Sequence, residues 1–178
     1  MAGGGRDVVH ASVSHALGDH VDHLVMTGSA PVTGVGNSLA NRLTGNAYDT
    51  ILRGACGADT IVGGAGHDSL FGGVGNDVLN CGAGNGIFSG GAGRDASDSR
   101  AGNDTLIGGA GRDLLSGGAR ADVFVFRLRS DRNVILDFQD DIDAIRLVDL
   151  GTPVLTKHGH MPRKMAPMSS LISGMATA

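Results

Sequence analysis

GGAGHDSLF (63–71), GGVGNDVLN (72–80) and GGAGRDLLS (108–116) are three of eight consecutive nine-residue blocks between Gly54 and Val125. The others are GACGADTIV (54–62), CGAGNGIFS (81–89), GGAGRDASD (90–98), SRAGNDTLI (99–107) and GGARADVFV (117–125). Seven blocks carry aspartate at the sixth place: Asp59, Asp68, Asp77, Asp95, Asp104, Asp113 and Asp122; the fourth has Gly86 there. A fixed period this short means one small structural unit stacked repeatedly. A glycine-rich linker would show glycine without phase. Here glycine, aspartate and an apolar residue each keep their own phase through all eight blocks.

The first six residues of a block are rich in glycine and end in aspartate, which suits a tight turn with positive φ. The last three place one apolar side chain between two variable ones, as in a very short strand with a single inward residue. The inward series is Ile61, Leu70, Leu79, Phe88, Ser97, Leu106, Leu115 and Phe124, broken only at Ser97. Two blocks would make one coil of turn, strand, opposite turn and opposite strand. The fold class expected is all-β, a parallel β-roll (β-solenoid).

Alternate blocks then stack on the same edge about 4.8 Å apart. One edge would carry Asp59, Asp77, Asp95 and Asp113, and the other Asp68, Gly86, Asp104 and Asp122. Carboxylates at that spacing repel by roughly 1–4 kcal/mol per pair, depending on the effective dielectric. A cation between them would remove the repulsion. Oxygen-only ligands, carboxylates with turn carbonyls, suit calcium before magnesium. No Cys/His cluster stands at zinc spacing, and a core one side chain wide makes folding dependent on metal. Under this register Gly86→Asp is expected to raise calcium stoichiometry or affinity.

All eighteen acidic residues are aspartate, there are 31 glycines, and the net charge is −4. That balance offers no basic face for nucleic acid. One tyrosine and no tryptophan leave little for base stacking. No apolar run reaches the ~18 residues of a membrane span, and the amino terminus lacks the apolar core of a cleavable export signal. Cys56 and Cys81 fall in blocks of opposite edges, so both thiols are expected to be free.

Four regions follow. Residues 1–53 form a divergent flank with degenerate repeats: GNSLANRLT (36–44) and GNAYDTILR (45–53) keep the step with Leu43 and Leu52 inward, but have Asn41 and Thr50 in the aspartate place. AGGGRDVVH (2–10) also fits, with Asp7 in that place; beginning inside a repeat suggests a piece, or a short descendant, of something longer. Between these blocks, residues 10–28 alternate well enough for one or two strands, with His10, His15, His20 and His23 facing solvent. Residues 54–125 are the metal-binding roll. Residues 126–150 read as strand pairs around an acidic turn, Asp137 to Asp143, that cap the open end. Residues 151–178 fit no period and read as a poorly ordered tail, with His158 and His160 on its surface.

The blocks resemble those of RTX, or hemolysin-type calcium-binding, proteins. The flanks are similar too: VDHLVMTGSAPVTGVGNSLANRLTGN resembles text that precedes such arrays, and ADVFVF with ILDFQDDIDAIRL resembles text that closes them. The resemblance implies a right-handed roll with several Ca2+ ions held between stacked turns on both edges. Its candidate ligands are Asp59, Asp68, Asp77, Asp95, Asp104, Asp113 and Asp122, with carbonyls around Gly66, Gly75, Gly84, Gly93, Gly102 and Gly111. It also implies secretion from a Gram-negative bacterium, with type I machinery or a cell-surface partner as the partner classes. This sequence departs from the pattern at Gly86, at Ser99 and Arg100 in place of paired glycines, at Asp141 (usually glycine) and at Arg146 (usually aspartate); its tail lacks an obvious export signal.

The function expected is a structural module that folds on binding extracellular calcium. The alternatives are the carboxy-terminal part of a secreted metalloprotease, lipase or alginate epimerase, or a surface adhesion module. No H-E-x-x-H, G-x-S-x-G or Walker loop is present, so catalysis by these residues is not expected.

Overall fold

The computed structural model describes residues 5–127 and 131–148, together with the backbone of 154–156. The described elements are all β. The amino-terminal flank supplies β1 (Val8–Ala11), β2 (His15–Ala16), β3 (His23–Met26), β4 (Val32–Val35) and β5 (Arg42–Thr44). The array follows with β6 (Thr50–Cys56), β7 (Thr60–Ala65), β8 (Ser69–Val74), β9 (Val78–Ala83), β10 (Ile87–Gly93), β11 (Ala96–Ala101), β12 (Thr105–Gly111) and β13 (Leu114–Ser116). Beyond it lie β14 (Val123–Arg127), β15 (Val134–Ile135), β16 (Ala144–Val148) and β17 (Val154–Thr156).

Odd-numbered strands from β1 to β15 form one sheet of eight, and even-numbered strands with β17 form a second of nine. Every pairing is parallel except that of β16 with β17. A chain that crosses to the other sheet at each turn and returns one rung further on is a β-roll.

Where both partners lie between Arg42 and Val125, paired residues stand eighteen positions apart, as Leu43 with Ile61, Ile61 with Leu79, and Leu70 with Phe88. Along the array strands β6 to β13, burial alternates with the pleat, so the inward places of a block are the sixth, the eighth and the first of the next block. Leu43, Leu52, Ile61, Leu70, Leu79, Phe88, Leu106, Leu115 and Phe124 are all fully buried in one column-like core.

Ser97 occupies the same inward place between Leu79 and Leu115, 3% exposed, and its hydroxyl has no hydrogen-bond partner. An unmade buried hydroxyl costs about 1–3 kcal/mol, and a leucine there would add apolar burial. Ser97→Leu is therefore expected to stabilise the roll by about 2 kcal/mol, a rise of about 4–8 °C in Tm. Thermal melts of the two proteins under identical conditions measure it; a lower Tm would mean the column has no room.

The flanks run on in the same two sheets, with uneven steps. Val8 pairs with His23, fifteen residues on, and Leu24 with Leu43, nineteen on. At the other end Leu115 pairs with Ile135 and Phe124 with Ile145, steps of twenty and twenty-one. Residues 10–28 contribute to three strands, where one or two were expected. His10, His15 and His20 are exposed, but His23 is half-buried and its Nδ1 has no partner, so the solvent-facing reading fails for it.

The closing segment also differs from the strand pairs read from its sequence. β14, β15 and β16 are further parallel rungs joined by crossovers, and the antiparallel pairing begins only at β17. That strand falls within the segment read as a tail; His158, His160 and the rest of it lie outside the described residues. Arg100 and Asp141 take up φ of +69° and +71°, where the resemblance led one to expect glycine.

Candidate metal site: two buried carboxylate columns

The sixth-place aspartates lie inside the roll rather than on its rim. Asp59, Asp68, Asp77, Asp95, Asp104, Asp113 and Asp122 are each between 0 and 2% exposed. Strand alternation causes this, because the sixth and eighth places share a face. For all of them but Asp104, whose block begins with Ser99, room for the carboxylate comes from the first-place glycine of the same block. A Cβ on Gly63, Gly72, Gly90, Gly108 or Gly117 would collide with Oδ2 of Asp68, Asp77, Asp95, Asp113 or Asp122 respectively.

Within each edge the carboxylates are linked through backbone. In the odd blocks, Oδ1 of Asp59, Asp77, Asp95 and Asp113 accepts from the N–H of Asn41, Asp59, Asp77 and Asp95 in turn, at 2.7, 2.8, 2.9 and 3.0 Å. Asn133 Oδ1 ends this column by accepting from Asp113 N at 2.9 Å. In the even blocks, Asp68 Oδ1 accepts from the amide and hydroxyl of Thr50, Asp104 from Gly86 N, Asp122 from Asp104 N, and Asp143 from Asp122 N. Asn41, Thr50 and Asn133 are neutral residues standing where the columns of acid stop. Asp137 closes the adjoining turn, accepting from Gly117 N, Gly118 N and the Ser116 hydroxyl.

The second carboxylate oxygen is the unsolved part of this arrangement. Oδ2 of Asp59, Asp77, Asp95, Asp104, Asp113 and Asp122 is buried and has no hydrogen-bond partner. Buried acceptors without partners are rare and costly, and ionised ones far more so. Burial accordingly pushes the carboxyls of Asp59 and Asp95 up to about 6 and that of Asp122 up to about 7, with repulsion from neighbouring aspartates adding to the effect. Those of Asp68, Asp77, Asp104 and Asp113 are raised for the same leading reason. The columns call for a proton or a cation.

A hard divalent cation fits these residues. Among the described residues no three His, Cys, Asp or Glu side chains converge on one point, so an ion must draw on backbone carbonyls. Turn glycines provide them. Gly66, Gly75, Gly84, Gly93, Gly102 and Gly111 all have φ between +105° and +151°. Their turns stack by hydrogen bonds such as Gly75 N to Ala92 O and Gly84 N to Ala101 O, both 2.9 Å. A Cβ on Gly93 would strike Gly75 O, and one on Gly111 would strike Gly93 O, so these carbonyls point along the stack. Carboxylate and carbonyl oxygen alone is a calcium-type donor set.

The fourth block corrects one expectation. Gly86 lacks the carboxylate, but its space is taken: Cys81 stands at the first place of the same block, where most blocks have glycine. A Cβ on Gly86 would lie 2.6 Å from Cys81 Sγ and 2.9 Å from Phe88 Cε2. Gly86→Asp by itself therefore meets a filled site rather than an empty one. Cys56 is exposed and Cys81 buried, both free, in strands of different sheets. Burial first, and then the charges of Asp68 and Asp104, push the Cys81 thiol up to about 12.

Asn133, Asp137 and Asp143 were not picked out as site residues from the sequence. Their signal is present, since NVIL (133–136) and DAIR (143–146) repeat the aspartate-x-apolar-x half of a block, but off the nine-residue step.

No curated protein matches the chain. Two stretches, 54–88 and 89–124, match the family model of the RTX calcium-binding nonapeptide repeat, a model of four copies. RTX repeats of this kind bind calcium and form a structural β-roll. Sequence period, paired parallel sheets and matched model agree: residues 54–124 of the chain match the RTX calcium-binding nonapeptide repeat.

Proposed function

We propose that the array is a structural calcium module that orders when calcium reaches it outside the cell. The six partnerless, buried carboxylate oxygens carry this reading. Asp59, Asp77, Asp95 and Asp113 on one edge, and Asp68, Asp104 and Asp122 on the other, would hold the ions, with carbonyls around Gly66, Gly75, Gly84, Gly93, Gly102 and Gly111. When bound, calcium supplies positive charge between columns of like charge. The chain's own part is to fix the glycine turns, exclude water from Oδ2 and present both carboxylate columns at once.

RTX repeat proteins are typically secreted by Gram-negative bacteria. Secretion of this chain, through type I machinery, is part of the proposal. Among the described residues no helix is long and apolar enough to cross a membrane. Nothing in the roll's chemistry asks for catalysis, because each paired carboxylate already has a role as ligand or backbone acceptor.

A calcium titration followed by circular dichroism and calorimetry tests the reading. Saturable binding of several ions, with a gain of β signal at roughly 10⁻⁴–10⁻³ M, is expected of extracellular sites. Absence of binding in that range would overturn it.

A further inference from the structure

Resting on the calcium reading above, we propose that Cys81 and Gly86 are a reciprocal exchange that closes the even edge to cations between Asp68 and Asp104. In six blocks of the array a glycine at the first place gives room to an aspartate at the sixth, as in Gly63 with Asp68 or Gly108 with Asp113, and in a seventh the small Ser99 stands there beside Asp104. In the fourth block the large and small residues trade places. The thiol of Cys81 occupies the volume a carboxylate would take beside Gly86, with Sγ 2.6 Å from where a Gly86 Cβ would stand.

The thiol also quiets its neighbour. Cys81 Sγ lies 3.8 Å from Asp68 Oδ2 as a weak donor, so Asp68 is the one array carboxylate without an orphaned oxygen. Gly86 keeps the backbone half of the ladder, donating its N–H to Asp104 Oδ1 at 2.6 Å. The column of hydrogen bonds thus continues through the block while the column of charge does not. Sulfur is a soft donor and a poor ligand for calcium. The even edge is left with a cation run at Asp104, Asp122 and Asp143, with Asp68 cut off from it beside Thr50, and the odd edge is unbroken from Asp59 to Asp113.

The test is a double-mutant cycle: wild type, Cys81→Gly, Gly86→Asp and the double exchange Cys81→Gly/Gly86→Asp. Bound calcium is counted by calorimetry and by metal analysis after dialysis, and Tm is read with calcium present. Gly86→Asp alone is expected to lower Tm, since its carboxylate meets the thiol, and Cys81→Gly alone to lower it by leaving a void. Neither should gain calcium. The double exchange should recover Tm to near wild type or above and gain roughly one to two equivalents, one for each new gap between carboxylates.

A gain of calcium by Gly86→Asp alone equal to that of the pair would overturn the proposal. So would additive losses of Tm, or a double exchange that fails to fold or folds without added calcium. Wild type that binds no calcium would sink the parent reading instead, while coupled Tm values would still establish the steric exchange.

Discussion

In excess chelator near pH 7.5 the chain is expected to lose most of its β signal, and acidification to about pH 4.5 is expected to restore part of it without metal. The sign follows from the raised carboxyls. Asp59 and Asp95 move from 3.8 to about 6, and Asp122 to about 7, because burial disfavours their ionised form and neighbouring aspartates repel it. Between those values and 3.8 the folded chain binds more protons than the unfolded one, so metal-free stability falls as pH rises through this window. Above about pH 7 the loss is complete and constant. A carboxyl raised to about 6 costs the ionised fold roughly 3 kcal/mol, and several in one roll are enough to melt a domain of ordinary stability. Calcium removes the same penalty, so binding should release protons and weaken as pH drops below about 6. Circular dichroism at both pH values, with chelator and with calcium, checks all of this. Full order in chelator at neutral pH, unchanged by acid, would show that the carboxylate columns impose no such penalty.

Much of this architecture was open to reading from the period alone. Once aspartate, glycine and an apolar residue hold separate phases, parallel sheets and a core of Ile61, Leu70, Leu79 and Phe88 follow from the two-residue alternation of strands. The same alternation buries Asp59 and its equivalents inside the roll, a consequence easily missed when the block is divided into turn and strand. The flanks were harder because their steps change. Asn133 lies twenty residues beyond Asp113 and Asp143 twenty-one beyond Asp122, so a strict nine-residue frame passes over both. Steps of fifteen and nineteen hide the first rungs in the same way. Cys81 and Gly86 were each legible as departures. Their compensation was not, because it depends on two inward places five residues apart sharing one volume.

Asp95→Asn is expected to stabilise the chain in chelator while reducing the calcium it binds. The roll itself supplies the precedent. Asn133 stands in the odd column with its Oδ1 accepting from Asp113 N at 2.9 Å, the same contact that Asp95 Oδ1 makes to Asp77 N at the same distance. An asparagine at 95 keeps that backbone bond, and its amide group exchanges an orphaned, chargeable oxygen for an orphaned neutral donor. Asn133 Nδ2 already sits buried in that condition. With repulsion from Asp77 and Asp113 also gone, metal-free stability near pH 7.5 should rise by about 1–3 kcal/mol. Asp95→Ala separates charge from hydrogen bond: it removes the same charge but also the acceptor of Asp77 N, and it opens a void, so it should be less stable than Asp95→Asn in chelator and less stable than wild type with calcium. Melts of the three proteins in chelator, with calcium counts in parallel, decide the matter. If asparagine and alanine at 95 were equally destabilising without metal, the buried charge would not be what keeps the empty roll from ordering, and the packing of the carboxylate would have to take its place in the explanation.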